Sequence, residues 1–118
     1  INAARNREEI SSAHNLVKEL TGIEMRLFAP PSGAFNSVTL EIAKELGYTT
    51  IMWSKDTIDW RDKDEDLIYK RATKNAAGGD LVLMHPTKAT AAVLGRIIDE
   101  LAKEGLTVAP VSEVIKPA

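Results

Sequence analysis

The sequence predicts an α/β fold in which about four parallel strands alternate with helices. Three observations carry that expectation. Segments with apolar residues at helical spacing alternate with short apolar or β-branched runs of strand length. The intervening helices are long enough to cross over and return the chain parallel to itself. The unusual side chains gather just after the predicted strands, where ligand sites of parallel α/β folds collect. Four such strands make either a small open sheet or half of a β/α barrel.

Asn6 to Leu20 places Ile10, Ala13, Leu16, Val17 and Leu20 in one inward stripe of a first helix, stopped at Gly22. His14 lies on the same inner side with no partner histidine one turn away, and reads as a packed or solvent-facing histidine rather than a metal ligand. Met25 to Phe28 reads as a strand, cut off by Pro30 and Pro31. Ser37 reads as the N-cap of a helix over Val38 to Leu46, closed by Gly47. Tyr48 to Trp53, β-branched and aromatic, reads as the second strand. The polar stretch Ser54 to Asp64 reads as a loop, followed by a helix from Glu65 to Ala77 that Gly78 and Gly79 terminate. Leu81 to Met84 is an unbroken apolar run, as in a strand covered on both faces. A long helix from Ala89 to Lys103 buries Ala92, Val93, Ile97 and Leu101 and ends at Gly105. Leu106 to Val108 reads as a fourth strand, and Pro110 opens a last short helix.

With 118 residues, 44% apolar and 27% charged, the chain can form a packed core and reads as a single domain. A net charge of −2, with acidic and basic residues interspersed, gives no basis for binding nucleic acid. The absence of cysteine excludes disulfides and thiolate sites. No apolar run reaches the ~18 residues of a membrane span. The chain begins without methionine and almost at once in a helical pattern, so it reads as an internal portion of a longer protein.

The chemistry-bearing positions follow the predicted strands. His85 closes the third strand before Pro86, where it either caps the strand or serves as a general acid or base. Asp59 ends the preceding loop, where a carboxylate either begins a turn or orients and tunes the imidazole. Trp60 either covers the core edge or walls a ligand pocket. Pro30-Pro31-Ser32-Gly33 forms a rigid turn, either a plain strand ending or a set of amides facing an oxyanion. Asp62, Asp64 and Asp66 have some flavour of a calcium loop but lack its glycine and terminal glutamate.

Phe28-Ala29-Pro30-Pro31-Ser32-Gly33, Asp56-Thr57-Ile58-Asp59-Trp60 and Leu83-Met84-His85 occur in order, each after a predicted strand. They resemble the third, fourth and fifth motifs of the polysaccharide deacetylases, the NodB-like carbohydrate esterases of family four, over nearly the whole chain. The resemblance implies part of a distorted (β/α) barrel, the C-terminal portion of a deacetylase domain. It implies removal of acetyl groups from N-acetylated cell-wall glycans at or outside a bacterial envelope, using zinc or another divalent metal. It also implies roles. His85 would be the general acid and Asp59 the carboxylate that tunes it. Trp60 and Leu83 would wall the acetyl pocket, and the Pro30, Pro31 and Ser32 turn would contact substrate and oxyanion.

Two positions depart from the family pattern: Ala29 stands in place of an arginine that braces the catalytic base, and Ser32 in place of a tyrosine. The metal-binding Asp-Asp and His-x-x-x-His motifs do not occur, so no metal is expected in this chain. As an isolated chain it is expected to be inactive, requiring its missing N-terminal half or a self-association partner. A catalytically degenerate carbohydrate-binding module is the alternative expectation.

Overall fold

The computed structural model describes residues 2–30 and 36–116. They fall into two compact units, Ile1–Met52 and Trp53–Ala118.

In the first unit, helix α1 (Ala3–Thr21) starts at Asn2, whose side chain accepts the Arg5 N–H at 2.8 Å. It ends at Gly22, which takes the left-handed conformation (φ 75°) that an L side chain resists. Strand β1 (Leu27–Phe28) is joined through helix α2 (Ser37–Glu45) to strand β2 (Thr49–Thr50). The strands pair in parallel, Leu27 with Thr49 and Phe28 with Thr50. This is a β-α-β crossover, the unit anticipated from the alternation of periods. The cap of α2 is Asn36, not Ser37; its side chain accepts the Thr39 N–H at 2.9 Å.

The face that α1 turns inward differs in part from expectation. Within the described residues Leu16 and Leu20 are 55% and 75% exposed. The buried or half-buried positions are Asn6, Ile10, Ser11, His14 and Val17. Polar contacts set this rotation. Thr39 donates to Asn6 at 3.1 Å, Arg7 pairs with Glu45, and His14 Nδ1 meets the buried Tyr48 hydroxyl at 2.6 Å. Ile10, His14 and Val17 turn inward as expected, while an apolar count alone ranks leucine above asparagine, and so includes Leu16 and Leu20 and passes over Asn6.

In the second unit, strand β3 (Lys55–Asp56) lies inside the stretch that reads as a loop, because both its residues are polar. Its partner makes it a strand. It pairs in parallel with β4 (Val82–Leu83), Lys55 with Val82 and Asp56 with Leu83. Helix α3 (Glu65–Thr73) connects them, capped by Asp64, which accepts the Asp66 and Leu67 N–H groups. It ends one turn early, since Asn75 adopts φ 55° and breaks the helix before the glycines. Gly79 (φ 90°) then serves a turn closed by Asp80 N–H donating to the Ala77 carbonyl.

Helix α4 (Lys88–Lys103) packs against α3. Ile68 and Ala72 of α3 meet Val93 and Ile97 of α4, with Tyr69, Val82, Ala89 and Leu101 around them. Ala89, Val93, Ile97 and Leu101 are each four apart, one row along a helix face; Ala92 lies off that row and is exposed. Ile68 is fully buried. Ile68→Val is therefore expected to cost about 0.5–1.5 kcal/mol, seen in urea denaturation as a lower midpoint with an unchanged slope.

The expected fourth strand at Leu106–Val108 is absent from the described residues. Leu106 N–H instead returns to the Leu101 carbonyl at 2.9 Å and Gly105 N–H to Ala102, closing the helix end. A strand exists only with a ladder partner, and Val108 is 59% exposed. The short helix α5 (Val111–Val114) follows.

A buried carboxylate beside His85

The second unit brings Asp59 and His85 together. Beyond β3 the chain turns sharply. Thr57, fully buried, donates both its N–H and its hydroxyl to the Leu83 carbonyl, at 3.2 and 3.0 Å. Ile58 then takes φ 53°, an uncommon conformation for a β-branched residue. Local bonds hold it there. The Asp56 carboxylate accepts the Ile58 N–H at 2.9 Å, and the Ile58 carbonyl accepts the Arg61 and Asp62 N–H groups.

Two cations brace the turn from outside. Arg71 of α3 donates to the Thr57 carbonyl at 3.0 Å and pairs with Asp62 at 2.9 Å. Lys63 donates to the Asp59 and Trp60 carbonyls at 2.8 and 3.2 Å. Arg61 and then Arg71 hold the Asp62 carboxyl below the usual carboxylate range. The turn points the next side chain, Asp59, inward, where it is 0% exposed.

Among the described residues, Asp59 receives three hydrogen bonds. The His85 ring Nδ1 lies 2.8 Å from Oδ1, the His85 backbone N–H donates to Oδ2 at 2.5 Å, and the Thr90 hydroxyl donates to Oδ2 at 2.6 Å. Burial pushes the Asp59 carboxyl up. The bonds from the His85 backbone, Thr90 and the His85 ring together outweigh that and hold it below its ordinary value.

An ionised carboxylate can only accept, so Nδ1 must carry the hydrogen of the shared bond. The other ring nitrogen, Nε2, is then the one left to exchange a proton. The His85 side chain is 46% exposed. The arrangement is an oriented imidazole with one nitrogen fixed on a buried anion, the geometry that general acid–base chemistry requires.

The other anticipated positions are placed as follows. Trp60 adjoins Asp59 and is 59% exposed. Leu83 is half-buried in β4, two residues before His85. Pro30 is buried in the first unit, while Pro31 and Ser32 lie outside the described residues. Among the described residues no group of three or more His, Cys, Asp or Glu is placed to hold a metal ion.

Sequence reasoning missed Thr57, Arg71 and Thr90. The available signal was Thr87 and Thr90 three apart, opening a helix directly after His85-Pro86. That pattern marks a cap but does not say where the second hydroxyl points.

Comparison with known proteins adds an independent line. Residues 1–51 match the family model described as polysaccharide deacetylase. Over 99 residues the chain is 38% identical to a peptidoglycan-N-acetylglucosamine deacetylase of Bacillus cereus, covering 79% of this chain and 46% of that protein. It is 30% identical to YlxY, an uncharacterised protein of Bacillus subtilis, over 98% of this chain and 36% of that one. The crystal structure of a CE4 family pseudoenzyme from Bacillus anthracis superposes with a TM-score of 0.94 at 32% identity, over 98% of this chain and 41% of that one. A mutant of that pseudoenzyme with restored enzymatic activity also gives 0.94 at 31% identity, over 98% and 43%. A family 4 carbohydrate esterase from Streptomyces lividans, in complex with acetate, gives 0.88 at 28% identity, over 95% and 58%. The chain thus spans less than half the length of the curated relatives it matches here. In each of these structural comparisons at least 95% of the chain is matched.

Proposed function

We infer the function from one premise: the chain belongs to the polysaccharide deacetylase family and spans part of its catalytic domain. On that premise it supplies the proton-transfer pair for hydrolysis of the acetamide C–N bond of an N-acetylated cell-wall glycan. The observation that carries this reading is the buried Asp59 carboxylate 2.8 Å from Nδ1 of the half-exposed His85.

In the reaction, water adds to the acetyl carbonyl and the C–N bond then breaks. The departing sugar nitrogen must gain a proton to leave as an amine. His85 gives that proton from Nε2, while Asp59 holds Nδ1–H and steadies the ring. Trp60 and Leu83 wall the acetyl methyl group; Pro30, Pro31 and Ser32 bind substrate, roles that rest on their motif positions.

Deacetylases of this family are generally metal-dependent. The residues described here do not fit a metal centre, so the chemistry assigned to this chain is confined to proton transfer. A divalent ion such as zinc would be held by residues outside it. We assign residues 1–118 to one catalytic domain, as its C-terminal portion, completed by an N-terminal half or by self-association. A cell-wall glycan would be met at the bacterial envelope or outside the cell; no helix among the described residues is long and apolar enough to cross a membrane.

A second reading has specific support: a carbohydrate-binding module that keeps the groove without the chemistry. Ala29 and Ser32 depart from the family's arginine and tyrosine, and a similar structure is that of a pseudoenzyme. One experiment separates the two. The polypeptide that adds the family's metal-binding motifs to this chain is given an N-acetylglucosamine oligomer, and acetate release is followed with zinc and with chelator. Acetate release that the chelator abolishes is the expected result. Glycan binding that is equal with and without chelator, with no acetate formed, would establish the module instead.

A further inference from the structure

Thr90 is 4% exposed, three residues past the cap of α4. A threonine in a helix ordinarily turns its hydroxyl back onto a carbonyl one turn earlier. Two threonines here do so: Thr21 donates to the Val17 carbonyl and Thr73 to the Tyr69 carbonyl, both at 2.8 Å. Thr90 does not. Its hydroxyl crosses the fold to Asp59 Oδ2 at 2.6 Å, a partner 31 positions away in sequence.

The bond's direction is enforced from both ends. The Asp59 carboxylate can only accept. On the other side Thr87 Oγ1 accepts the Thr90 N–H at 3.1 Å and donates its own proton to Thr90 Oγ1 at 2.8 Å. One of Thr90's two lone pairs is thereby engaged, and its one proton is left for Asp59. The other two bonds to Asp59 both come from His85. Alone they tie the carboxylate to the very residue it must orient. The terminal torsion of an aspartate is soft, with broad wells. Among the described residues only Thr90, on a packed helix, references the carboxylate to a third element.

Resting on the reading of His85 and Asp59 above, we propose that Thr90, aimed by Thr87, is the positioning residue of this site. It fixes the Asp59 carboxylate against α4 so that the carboxylate in turn fixes the His85 ring with Nε2 outward. Thr90 touches neither substrate nor the departing nitrogen, and acts through Asp59.

The test replaces the hydroxyl and keeps the shape. In Thr90→Val, long-range ¹H–¹⁵N spectra of the His85 ring should lose the persistent Nδ1–H form, and the Asp59 carboxyl, followed by ¹³C NMR, should titrate higher than in the unaltered protein. Thr90→Ser, which keeps the donor, should restore both signatures, which a merely space-filling role would not explain. A His85 spectrum and an Asp59 titration unchanged in Thr90→Val would overturn the proposal. If Thr90→Val does not give a folded spectrum, Thr90→Ala is read by the same two signals. The broader reading fails differently: acetate release that survives His85→Ala removes the general-acid role, while the NMR signatures still decide for or against Thr90.

Discussion

His85→Ala is expected to lower acetate release by about 10²–10⁴-fold, the contribution typical of a positioned proton donor, while the fold survives. The assay is acetate release from an N-acetylglucosamine oligomer by the polypeptide that adds the family's metal-binding motifs. The separation of activity from stability follows from how the site is wired. The substitution removes one of three bonds to Asp59, the one from the ring. The backbone N–H of residue 85 still donates to Oδ2, and so does Thr90. The lost side chain is half exposed, and the cost in stability is about 1.5–3 kcal/mol, one hydrogen bond to a charged group. Glycan affinity should change little, because proton donation matters in the transition state rather than in the bound ground state. Undiminished acetate release would strip His85 of the general-acid role. A collapse of stability would mean instead that the ring is a structural strut.

The site was partly legible before any coordinates, and the reasons are specific. His85 stands directly after an apolar run and Asp59 in the loop that follows the predicted strand Tyr48 to Trp53, so the rule that parallel α/β sites form at strand ends located both. The helices were legible from their period and their stops, Gly22 and Gly105 among them. The inner face of α1 was legible only in part: Ile10, His14 and Val17 were placed inward, whereas the buried Asn6 was not, because its partner Thr39 lies on another helix. β3 escaped notice because Lys55 and Asp56 are strand residues only through pairing with β4. Thr90 escaped for the same reason at the level of one bond, since nothing near it in sequence names Asp59. What a residue is made of can be read locally, whereas a nonlocal partner has to be supplied by the fold. The left-handed Ile58 is the extreme case. Its type argues against the conformation, and the surrounding bonds impose it on the residue just before the buried carboxylate.

Asp59→Ala should act on the fold as much as on the chemistry. The carboxylate is fully buried and is the acceptor for the His85 N–H, the His85 ring and the Thr90 hydroxyl. Removing it strands the hydroxyl of Thr90, which is 4% exposed, and the His85 backbone N–H, while the half-exposed His85 ring can turn to solvent; among the described residues every buried side-chain nitrogen and oxygen has a partner. Leaving a buried donor unsatisfied costs about 1–3 kcal/mol, so losing the shared acceptor takes a large share of a small domain's stability. Urea denaturation would measure it, and a loss below ~1 kcal/mol would show that water enters the site. Asp59→Asn separates charge from shape. Its amide offers one acceptor where the carboxylate offers two. With the acceptor on the backbone N–H, the amide donors face Nδ1 and leave it without its hydrogen, so the ring could give up the Nε2 proton only by becoming an anion. The same variant tests the pH dependence. The Asp59 carboxyl is held below its ordinary value in the folded protein. Its stabilisation is therefore complete above the unfolded carboxylate range, near pH 4, and is lost as pH falls through the depressed folded value. Asp59→Asn should be less stable than the unaltered protein at neutral pH, and the gap between them should narrow as the pH drops below about 4. A gap that stays constant into acid would mean that Asp59 is not ionised in the folded protein, and the assignment of the hydrogen to Nδ1 of His85 would fall with it.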